Sequence, residues 1–304
     1  MIVMQITNTV FLVRPASFSY NTQTAASNTF QTKLEETPEK IQAKVLQEFD
    51  AFVAKLRSVG IAVQVFEDST EPRKPDAVFP NNWISVHRDG TIVLYPMCTP
   101  NRRLERNPVV LEWLEKQKDF VTQIDYTSYE TQDRFLEGTG SIIFDHNHRK
   151  AYACLSPRTD AMLFENLMVH LGYQAIAFNA CDVNGVAIYH TNVMMSIGEG
   201  FVVICLESIR DEKERQKVME EFHSSNLDVI AISLEQVSHF AGNMLALEGT
   251  KGQIVVLSQR AFDCLTSTQK QALEQYAILL PMPIPTIEAI GGGSARCMIA
   301  EVFL

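Results

Sequence analysis

The sequence predicts an α/β protein built from five copies of one structural unit. Four segments each contain two apolar strands, a short polar turn between them, and a following amphipathic helix. The hairpins recur at roughly fifty residues, a period typical of radial repeats. Because the two chain ends supply the strands of a fifth unit, we expect a five-bladed αβ-propeller closed by pairing of its terminal strands. No Pro-, Gly- or Ser-rich linker interrupts the repeat, so we expect one domain over residues 1–304.

Turn signals place the hairpins. The first and third turns, at 88–90 and 198–200, contain Asp-Gly and Gly-Glu-Gly, and the fourth, at 249–252, begins and ends with glycine. Glycine favours such turns because it readily adopts positive φ. The strands flanking the turns are predicted at 83–86 and 91–95, 140–144 and 151–155, 192–196 and 201–205, and 243–247 and 253–257.

Helices and single strands complete the units. Residues 297–304 are expected to pair with 10–13, which closes the repeat and leaves no sheet edge unpaired. The amphipathic helices are predicted at 37–59, 109–118, 160–172, 212–222 and 267–276, and the third strands at 62–66, 121–124, 175–178, 229–232 and 277–280.

Composition excludes several classes of protein. The chain is 46% hydrophobic and 20% charged, a balance that excludes disorder and coiled coil. Its formal net charge of −10 argues against nucleic acid or an anionic membrane as partner. Six scattered cysteines without a Cys-x-x-Cys pair indicate neither a disulfide framework nor a zinc site. We expect a cytoplasmic protein with reduced thiols, a small-molecule substrate and no metal or organic cofactor. The oligomeric state stays open, with a homodimer as one option.

Polar or reactive side chains occur just before the first strand in four of the five units. In a closed radial fold, these positions point toward the central channel. A thiol, an imidazole and a carboxylate that meet there supply a nucleophile, a proton shuttle and an electrostatic partner. The fourth unit offers only 241–242, Ala-Gly, which has no reactive group. The candidates in the other units are Asn81 and Asn82, Glu137, His190 and Cys297.

Four short motifs stand in one order along the chain. They are Asp76…Phe-Pro-Asn-Asn82, Glu137-Gly, His190-Thr-Asn192, and Gly-Gly-Gly…Cys297. In this order they resemble the guanidino-group-modifying penteins, which include arginine deiminases, dimethylargininases, agmatine deiminases and amidinotransferases. The resemblance spans residues 14–297 and implies a five-bladed propeller with a Cys/His/Glu site at its centre.

The resemblance implies a role for each member of this triad. Cys297 would attack the central carbon of a guanidino or ureido group. His190 would protonate the departing nitrogen and then take a proton from the hydrolytic water, while Glu137 would hold the NH groups of the substrate. Since a free cysteine thiol is mostly protonated at neutral pH, we expect His190 and Arg296 to favour the thiolate.

Further residues are expected to hold the amino-acid end of the substrate. By the same resemblance, Asp76 would bind the α-amino group. Arg102, Arg103 and Arg158 would bind the α-carboxylate, for which the guanidinium fork is suited. Two alternatives stay open. Arg102 and Arg103 belong to a charged loop in which one of them is solvated, and Arg158 could instead cap the helix that follows it.

Two amides replace carboxylates of the family. Arginine deiminases and dimethylargininases have an aspartate where this chain has Asn82, and deiminases tend to have one where it has Asn192. A buried guanidinium without counter-charges is costly, whereas amides offer donors and acceptors to a neutral urea. Segments 14–31 and 75–83 resemble the citrulline-utilisation hydrolases, which are often labelled amidinotransferases. The sequence therefore favours hydrolysis of citrulline to ornithine, ammonia and carbon dioxide.

Other functions stay open beside this one. Arginine or a methylated arginine is the alternative substrate, and amidino transfer the alternative reaction. Some penteins are non-catalytic ribosome-associated binding proteins, but they lack the Cys/His/Glu set. A metal hydrolase would use His146 and His148 beside Asp145, although a hairpin turn of this composition is more often a solvated loop.

Overall fold

The computed structural model of the protein describes residues 4–117 and 122–303. Within this part of the chain the strands form five three-stranded sheets. In each sheet two strands pair antiparallel, and a third pairs in parallel with the second. The same pattern in every sheet shows an α/β chain with a fivefold internal repeat.

The strands fall into one terminal sheet and four sheets of consecutive strands. The terminal sheet joins β1 (Thr9–Arg14), β2 (Ala62–Glu67) and β15 (Ala300–Glu301). The others are β3 (Ile84–Val86), β4 (Thr91–Leu94) and β5 (Thr122–Asp125); β6 (Ile143–Asp145), β7 (Lys150–Cys154) and β8 (Gln174–Phe178); β9 (Met195–Ile197), β10 (Phe201–Ile204) and β11 (Asp228–Ala231); and β12 (Leu245–Gly249), β13 (Gly252–Ser258) and β14 (Ile278–Met282).

Of the helices in the described residues, seven lie between the second and third strands of one sheet, and three lie between one sheet and the next. They are α1 (Pro38–Ser58), α2 (Pro100–Arg103), α3 (Pro108–Glu115), α4 (Gly138–Ser141), α5 (Ala161–Leu171), α6 (Glu212–Ser224), α7 (Leu234–Ser238), α8 (Gln259–Cys264), α9 (Ser267–Glu274) and α10 (Pro285–Gly291). No helix in the described residues is both long and apolar enough to span a bilayer.

The predicted pairing of the chain ends is confirmed. Val10 lies opposite Glu301 and Phe11 opposite Ala300 in an antiparallel ladder, and β1 pairs in parallel with β2 on its other side. The predicted helix end at Lys118, the strand start at Val121 and the last residue, Leu304, lie outside the described residues.

Cap residues explain why the helix boundaries follow the sequence. The side chain of Asp160 accepts a hydrogen bond from the backbone N–H of Leu163 and so caps the start of α5. Gly172 ends this helix in the left-handed conformation, with φ of +69°. An acceptor side chain at the N-cap is the expected signal for the start of a helix, and a glycine after the last helical residue is the expected signal for its end. The predicted span of 160–172 therefore includes both caps.

The starts of three first strands differ from the prediction. Strands were expected from residues 140, 192 and 243, but a helical turn or a tight turn comes first in each unit. In the third unit this turn is Thr191–Val193, where the Thr191 hydroxyl donates to the Ser141 carbonyl and accepts from the Cys154 N–H. These hydrogen bonds of the Thr191 side chain favour a turn over an extended strand. The alternation of apolar residues in the sequence does not reveal them.

The short turns lie side by side at the start of the first strands. Pro80–Asn82, α4, Thr191–Val193 and Ala295–Met298 are buried, and neighbouring turns contact one another. Residues more than 200 positions apart in sequence therefore meet in one place. Apolar side chains of the strands and helices pack around this cluster of turns.

Candidate active site

Cys297 lies in the last of these turns, where it is 4% exposed. Its sulfur accepts a hydrogen bond from Asn243 Nδ2 at 3.2 Å and from Asn192 Nδ2 at 3.4 Å. The thiol is thus held by two neutral amides from two different units. No hydrogen bond joins it to His190 among the described residues, although both side chains line the same cavity.

His190 and Glu137 form a buried pair. Nε2 of His190 lies 2.8 Å from Oε2 of Glu137. Burial raises the pKa of Glu137, but the positive charge of Arg158 and the hydrogen bond from His190 outweigh it, so its pKa lies well below the usual range. Burial lowers the pKa of His190 to about 4, although Glu137 opposes this shift. An ionised Glu137 therefore accepts from Nε2, which leaves Nδ1 as the basic nitrogen.

Both carboxylate oxygens of Glu137 accept hydrogen bonds from other residues as well. Oε1 accepts from the backbone N–H of Cys98 at 2.9 Å, and Oε2 also receives Arg158 Nη1 at 3.5 Å. Glu137 itself is fully buried. Both oxygens are therefore bound within the protein, so this carboxylate orients His190 and balances the charge of Arg158.

Arg102 orients Asn82. Nη1 of Arg102 donates to Asn82 Oδ1 at 2.7 Å, while its Nε and Nη2 form a two-point contact with Glu105 at 2.9 and 2.8 Å. Nη2 also donates to the Phe79 carbonyl. Because the oxygen of the Asn82 amide is held in this way, its Nδ2 group faces elsewhere. This nitrogen is buried and has no hydrogen-bond partner in the described part of the chain.

Gly140 leaves space for the side chains of Asn82 and His190. A β-carbon on Gly140 would lie 2.3 Å from Asn82 Nδ2 and 2.8 Å from His190 Nδ1. Both distances are far below van der Waals contact, so any larger residue would displace the amide or the imidazole. The glycine in Gly-Thr-Gly is thus required by close approach of neighbouring side chains.

Asp76 also lines the cavity. Its Oδ2 accepts from Asn21 Nδ2 at 2.7 Å and from Thr24 Oγ1 at 3.4 Å. Burial raises the pKa of Asp76, and Arg102 opposes this shift. The second oxygen, Oδ1, is buried without a partner among the residues that the structure describes. An ammonium group of a ligand would satisfy it.

Arg158 joins the cavity wall to the N-terminal segment. Its Nη2 donates to Ser27 Oγ at 2.6 Å and to the Thr24 carbonyl at 3.3 Å. The guanidinium lies over the Tyr189 ring, 5.0 Å from its centroid. Arg158 does not cap the helix that follows it, since Asp160 does so.

The cavity contains most of the predicted residues. Its volume is about 20 Å³, room for little more than a water molecule, so an amino acid requires the lining segments to separate. The predicted residues on its wall are Asp76, Asn82, Arg102, Arg158, His190 and Cys297.

Four predicted residues lie behind this wall. Glu137 contacts His190, and Asn192 contacts Cys297. Asn81 is turned away, with its Nδ2 donating to Thr139 Oγ1 at 3.2 Å. Arg103 donates to the carbonyls of the neighbouring 97–98 turn and lies 3.5 Å from Glu130. Of the two adjacent arginines, Arg102 is therefore the one that reaches the cavity.

The fourth unit contributes more than the sequence indicated. Ala241 and Gly242 carry no reactive group, but Asn243 comes next and contacts the Cys297 sulfur. Asn243 occupies the turn before a first strand, the same position as the predicted site residues of the other units. The prediction missed it because strand β12 begins at Leu245, two residues later than the expected start.

The expected role of Arg296 also needs correction. Its Nη2 donates to Glu301 at 2.7 Å and its Nη1 to the Ile299 carbonyl at 3.0 Å. The guanidinium is thus paired with a carboxylate instead of the thiol of the adjacent residue.

The histidine-rich turn does not form a metal centre. His148 Nδ1 pairs with Asp145 at 2.9 Å, whereas His146 packs among aromatic rings and bonds to the Tyr173 hydroxyl. In residues 4–117 and 122–303 no group of three or more His, Cys, Asp or Glu side chains is arranged to hold a metal ion.

Sequence comparison places the chain in a family. Residues 14–304 match the family described as "N,N dimethylarginine dimethylhydrolase, eukaryotic". The chain belongs to this family. Its members are guanidino-group-modifying penteins, so the superfamily that the motif order predicted is confirmed. No curated protein matched the sequence.

Solved structures share the fold at low sequence identity. The N-terminal domain of ArgZ, an arginine dihydrolase from cyanobacteria, is similar in a variant bound to its substrate, with a TM-score of 0.75 and 17% identity over 97% of this chain and 99% of that one. An AgrE variant with L-arginine gives 0.74 and 17% over 96% and 39%. DDAH from Pseudomonas aeruginosa, complexed with citrulline, gives 0.67 and 13% over 99% of both chains.

Proposed function

We propose that the protein is a cysteine-dependent hydrolase that converts citrulline and water to ornithine, ammonia and carbon dioxide. Family membership supports an enzyme of guanidino-type amino acids that breaks a C–N bond. The choice of a ureido over a guanidino substrate depends on the arrangement of amide groups around the cavity. In the same proposal, residues 1–304 form one catalytic domain, and the five sheets close into a propeller around the site.

The unpaired amide nitrogen of Asn82 carries this choice. Arg102 holds the oxygen of that amide, and its Nδ2 is buried without an acceptor among the described residues, on a side chain that lines the cavity. A guanidinium offers only donors and would leave it unpaired, which is costly in a buried site. The carbonyl oxygen of a ureido group supplies the missing acceptor.

The remaining groups fit a neutral substrate as well. Oδ1 of Asn192 is a buried acceptor without a partner in the described residues, suited to a ureido N–H. The carboxylate of Glu137 is bound on both oxygens by His190, Arg158 and the Cys98 amide. A guanidinium would therefore have to share the oxygens of Glu137 with their present donors.

The first step forms a covalent intermediate. The proton of the Cys297 thiol passes to His190 Nδ1, and the imidazolium is stabilised by Glu137 through Nε2. The sulfur attacks the ureido carbon, and the oxygen of that group gains negative charge next to the Asn82 N–H. As the oxygen reforms its double bond, the C–N bond to the departing nitrogen breaks and His190 protonates that nitrogen.

The second step releases the enzyme. His190, now neutral, takes a proton from water, and the hydroxide adds to the carbon bound to sulfur. The S–C bond breaks, and the sulfur regains a proton from His190. The carbon leaves as a carbamic acid, whose remaining C–N bond breaks spontaneously to give carbon dioxide and the second amine. The two steps and this decomposition together give ornithine, ammonia and carbon dioxide.

Asp76 and Arg158 would hold the amino-acid end of the substrate. The free oxygen of Asp76 suits the α-ammonium group. Arg158 lies on the same wall and would offer a guanidinium to the α-carboxylate. Arg102 supports this end through the charge it brings near Asp76, 3.9 Å away.

Arginine is the second candidate substrate. The family description names dimethylarginine, and the ArgZ domain similar in fold is described as an arginine dihydrolase. Such a substrate would bring its own positive charge into the cavity. Amidino transfer to a second amine is the remaining reaction of the superfamily.

A product assay decides between these candidates. The protein is incubated separately with L-citrulline, L-arginine and N,N-dimethylarginine, and ammonia and amino-acid products are quantified by mass spectrometry. Equal amounts of ornithine and ammonia from citrulline alone are expected. Cys297→Ala is the control, and turnover near the wild-type rate in that variant would exclude the covalent mechanism.

Each other outcome has a definite meaning. Citrulline formed from arginine, or dimethylamine released from dimethylarginine, would overturn the substrate and leave the triad intact. Transfer of the group to an added amine such as glycine, without ammonia, would identify an amidinotransferase. Binding of citrulline by calorimetry without any product would indicate a non-catalytic protein.

A further inference from the structure

The side chain of Asn243 has a fixed orientation beside Cys297. Its Oδ1 accepts from the backbone N–H of Arg296 at 3.1 Å, and its Nδ2 donates to the Asn192 carbonyl at 2.9 Å. An inverted amide would place donor against donor and acceptor against acceptor. The backbone groups therefore direct Nδ2 toward the sulfur, 3.2 Å away.

The backbone around Asn243 is built for this contact. A β-carbon on Gly242 would lie 2.5 Å from the Val193 carbonyl, so only glycine lets this turn pack against the turn that carries Asn192. Phe240, just before it, adopts a left-handed conformation with φ of +62°, which is rare for a bulky residue. Such strain is often found at functional sites.

Among the described residues no charged side chain hydrogen-bonds to the sulfur, although Arg102 and Arg158 line the same cavity. Arg296 is paired with Glu301, and buried His190 is neutral near pH 7 because its pKa is lowered to about 4. The ureido group proposed as substrate is also uncharged. Within the described residues, the groups that hydrogen-bond to the thiol are the two amides.

We propose that Asn243 is a further catalytic residue, which stabilises the thiolate of Cys297 by donating an N–H to its sulfur. The inference rests on the proposed function only in taking Cys297 as the nucleophile. A hydrogen bond to the charged form favours that form, and two amide donors replace the cation that often activates a cysteine. Because the two amides are neutral, they neither repel a charged substrate nor require one.

Alkylation of Cys297 tests this role without any substrate. The rate of reaction with iodoacetamide is measured from pH 5 to 10 by mass spectrometry of the Cys297 peptide, for wild type, Asn243→Ala and Asn243→Asp. Ser208→Ala serves as the control, because it removes a buried hydroxyl bound to the Cys205 carbonyl, away from the cavity. Circular dichroism establishes that each variant is folded.

The pH profile separates activation from simple damage to the fold. In Asn243→Ala we expect the midpoint of alkylation to rise by about one pH unit, so the rate at pH 7 falls about tenfold while the limiting rate at high pH is kept. Asn243→Asp, with an oxygen in place of the donor, should rise further. Ser208→Ala should match wild type.

An unchanged midpoint in a folded variant would overturn the proposal, as would an equal loss of rate at every pH. If Asn243→Ala does not fold, the isosteric Asn243→Asp decides by the same criteria. Since no substrate is present, failure here is distinct from failure of citrulline hydrolysis.

Discussion

Buried or half-buried histidines lie at both ends of the first strands, and their surroundings differ. At the start of these strands, His190 contacts the carboxylate of Glu137. At the far end of β3 and just beyond β6, His87 bonds to the Ser85 hydroxyl and His146 to the Tyr173 hydroxyl. Burial lowers the pKa of both His190 and His87 to about 4.

Burial alone does not distinguish a reactive histidine from one that serves packing. A hydroxyl partner satisfies the ring and supplies no charge, so protonation of His87 would be opposed. An ionised carboxylate stabilises the imidazolium as it forms, which a proton shuttle needs. Asp76 and Asn82, which line the same cavity as His190, also have buried polar atoms without a partner among the described residues.

The largest expected effect separates the two histidines by activity. His190→Ala should lower kcat by a factor of about 10² to 10⁴, because it removes the proton shuttle. His87→Gln should leave kcat within about twofold, since the glutamine can keep a bond to Ser85. Both are measured by ammonia release from the substrate identified above. A comparable loss in the two variants would mean that the far end also takes part in the reaction.

A second, smaller effect concerns the amides around the reacting carbon. Asn82→Asp combined with Asn192→Asp restores two acceptors and negative charge, so kcat/KM for arginine relative to citrulline should rise about tenfold or more. The ratio is measured with both substrates on the same preparation, and the two single variants show which amide contributes more. If the double variant keeps the wild-type ratio, charge at these positions does not set the substrate.

The smallest effect is on stability. The pKa of His87 is lowered from 6.5 to about 4, so below pH 6.5 the unfolded chain binds a proton that the folded chain does not. This contribution is fully present above pH 6.5 and is lost as pH falls toward 4, by about 2 kcal/mol at pH 5. Thermal unfolding followed from pH 7 to 5 should show a falling Tm and a smaller fall in His87→Gln. Parallel curves for the two proteins would show that His87 is not the titrating group.

Much of the fold follows from local signals. The turn glycines and the caps Asp160 and Gly172 are properties of short segments, and the spacing at which the hairpins recur can be read directly from the sequence. Together these signals locate the hairpins and helices. The positions before the first strands were also predictable, because every unit repeats the same geometry. This rule found Glu137, His190 and Cys297 without any knowledge of contacts.

The relations between these residues could not be predicted in the same way. Which atom of Asn82 faces the cavity depends on Arg102, which itself depends on Glu105. Glu137 is bound by a backbone amide 39 positions away. Such pairings depend on how the units pack, and no local pattern encodes them. Asn243 was missed for a smaller reason, namely the two-residue error in the start of its strand.

Pairing of β1 with β15 determines when the site can form during folding. β1 precedes the other four sheets in the chain, whereas its partner β15 follows Cys297. The terminal sheet therefore closes a loop that contains the other four sheets, and such non-local pairing slows folding. The turn that carries the nucleophile is thus held in place only after this long-range pairing has formed.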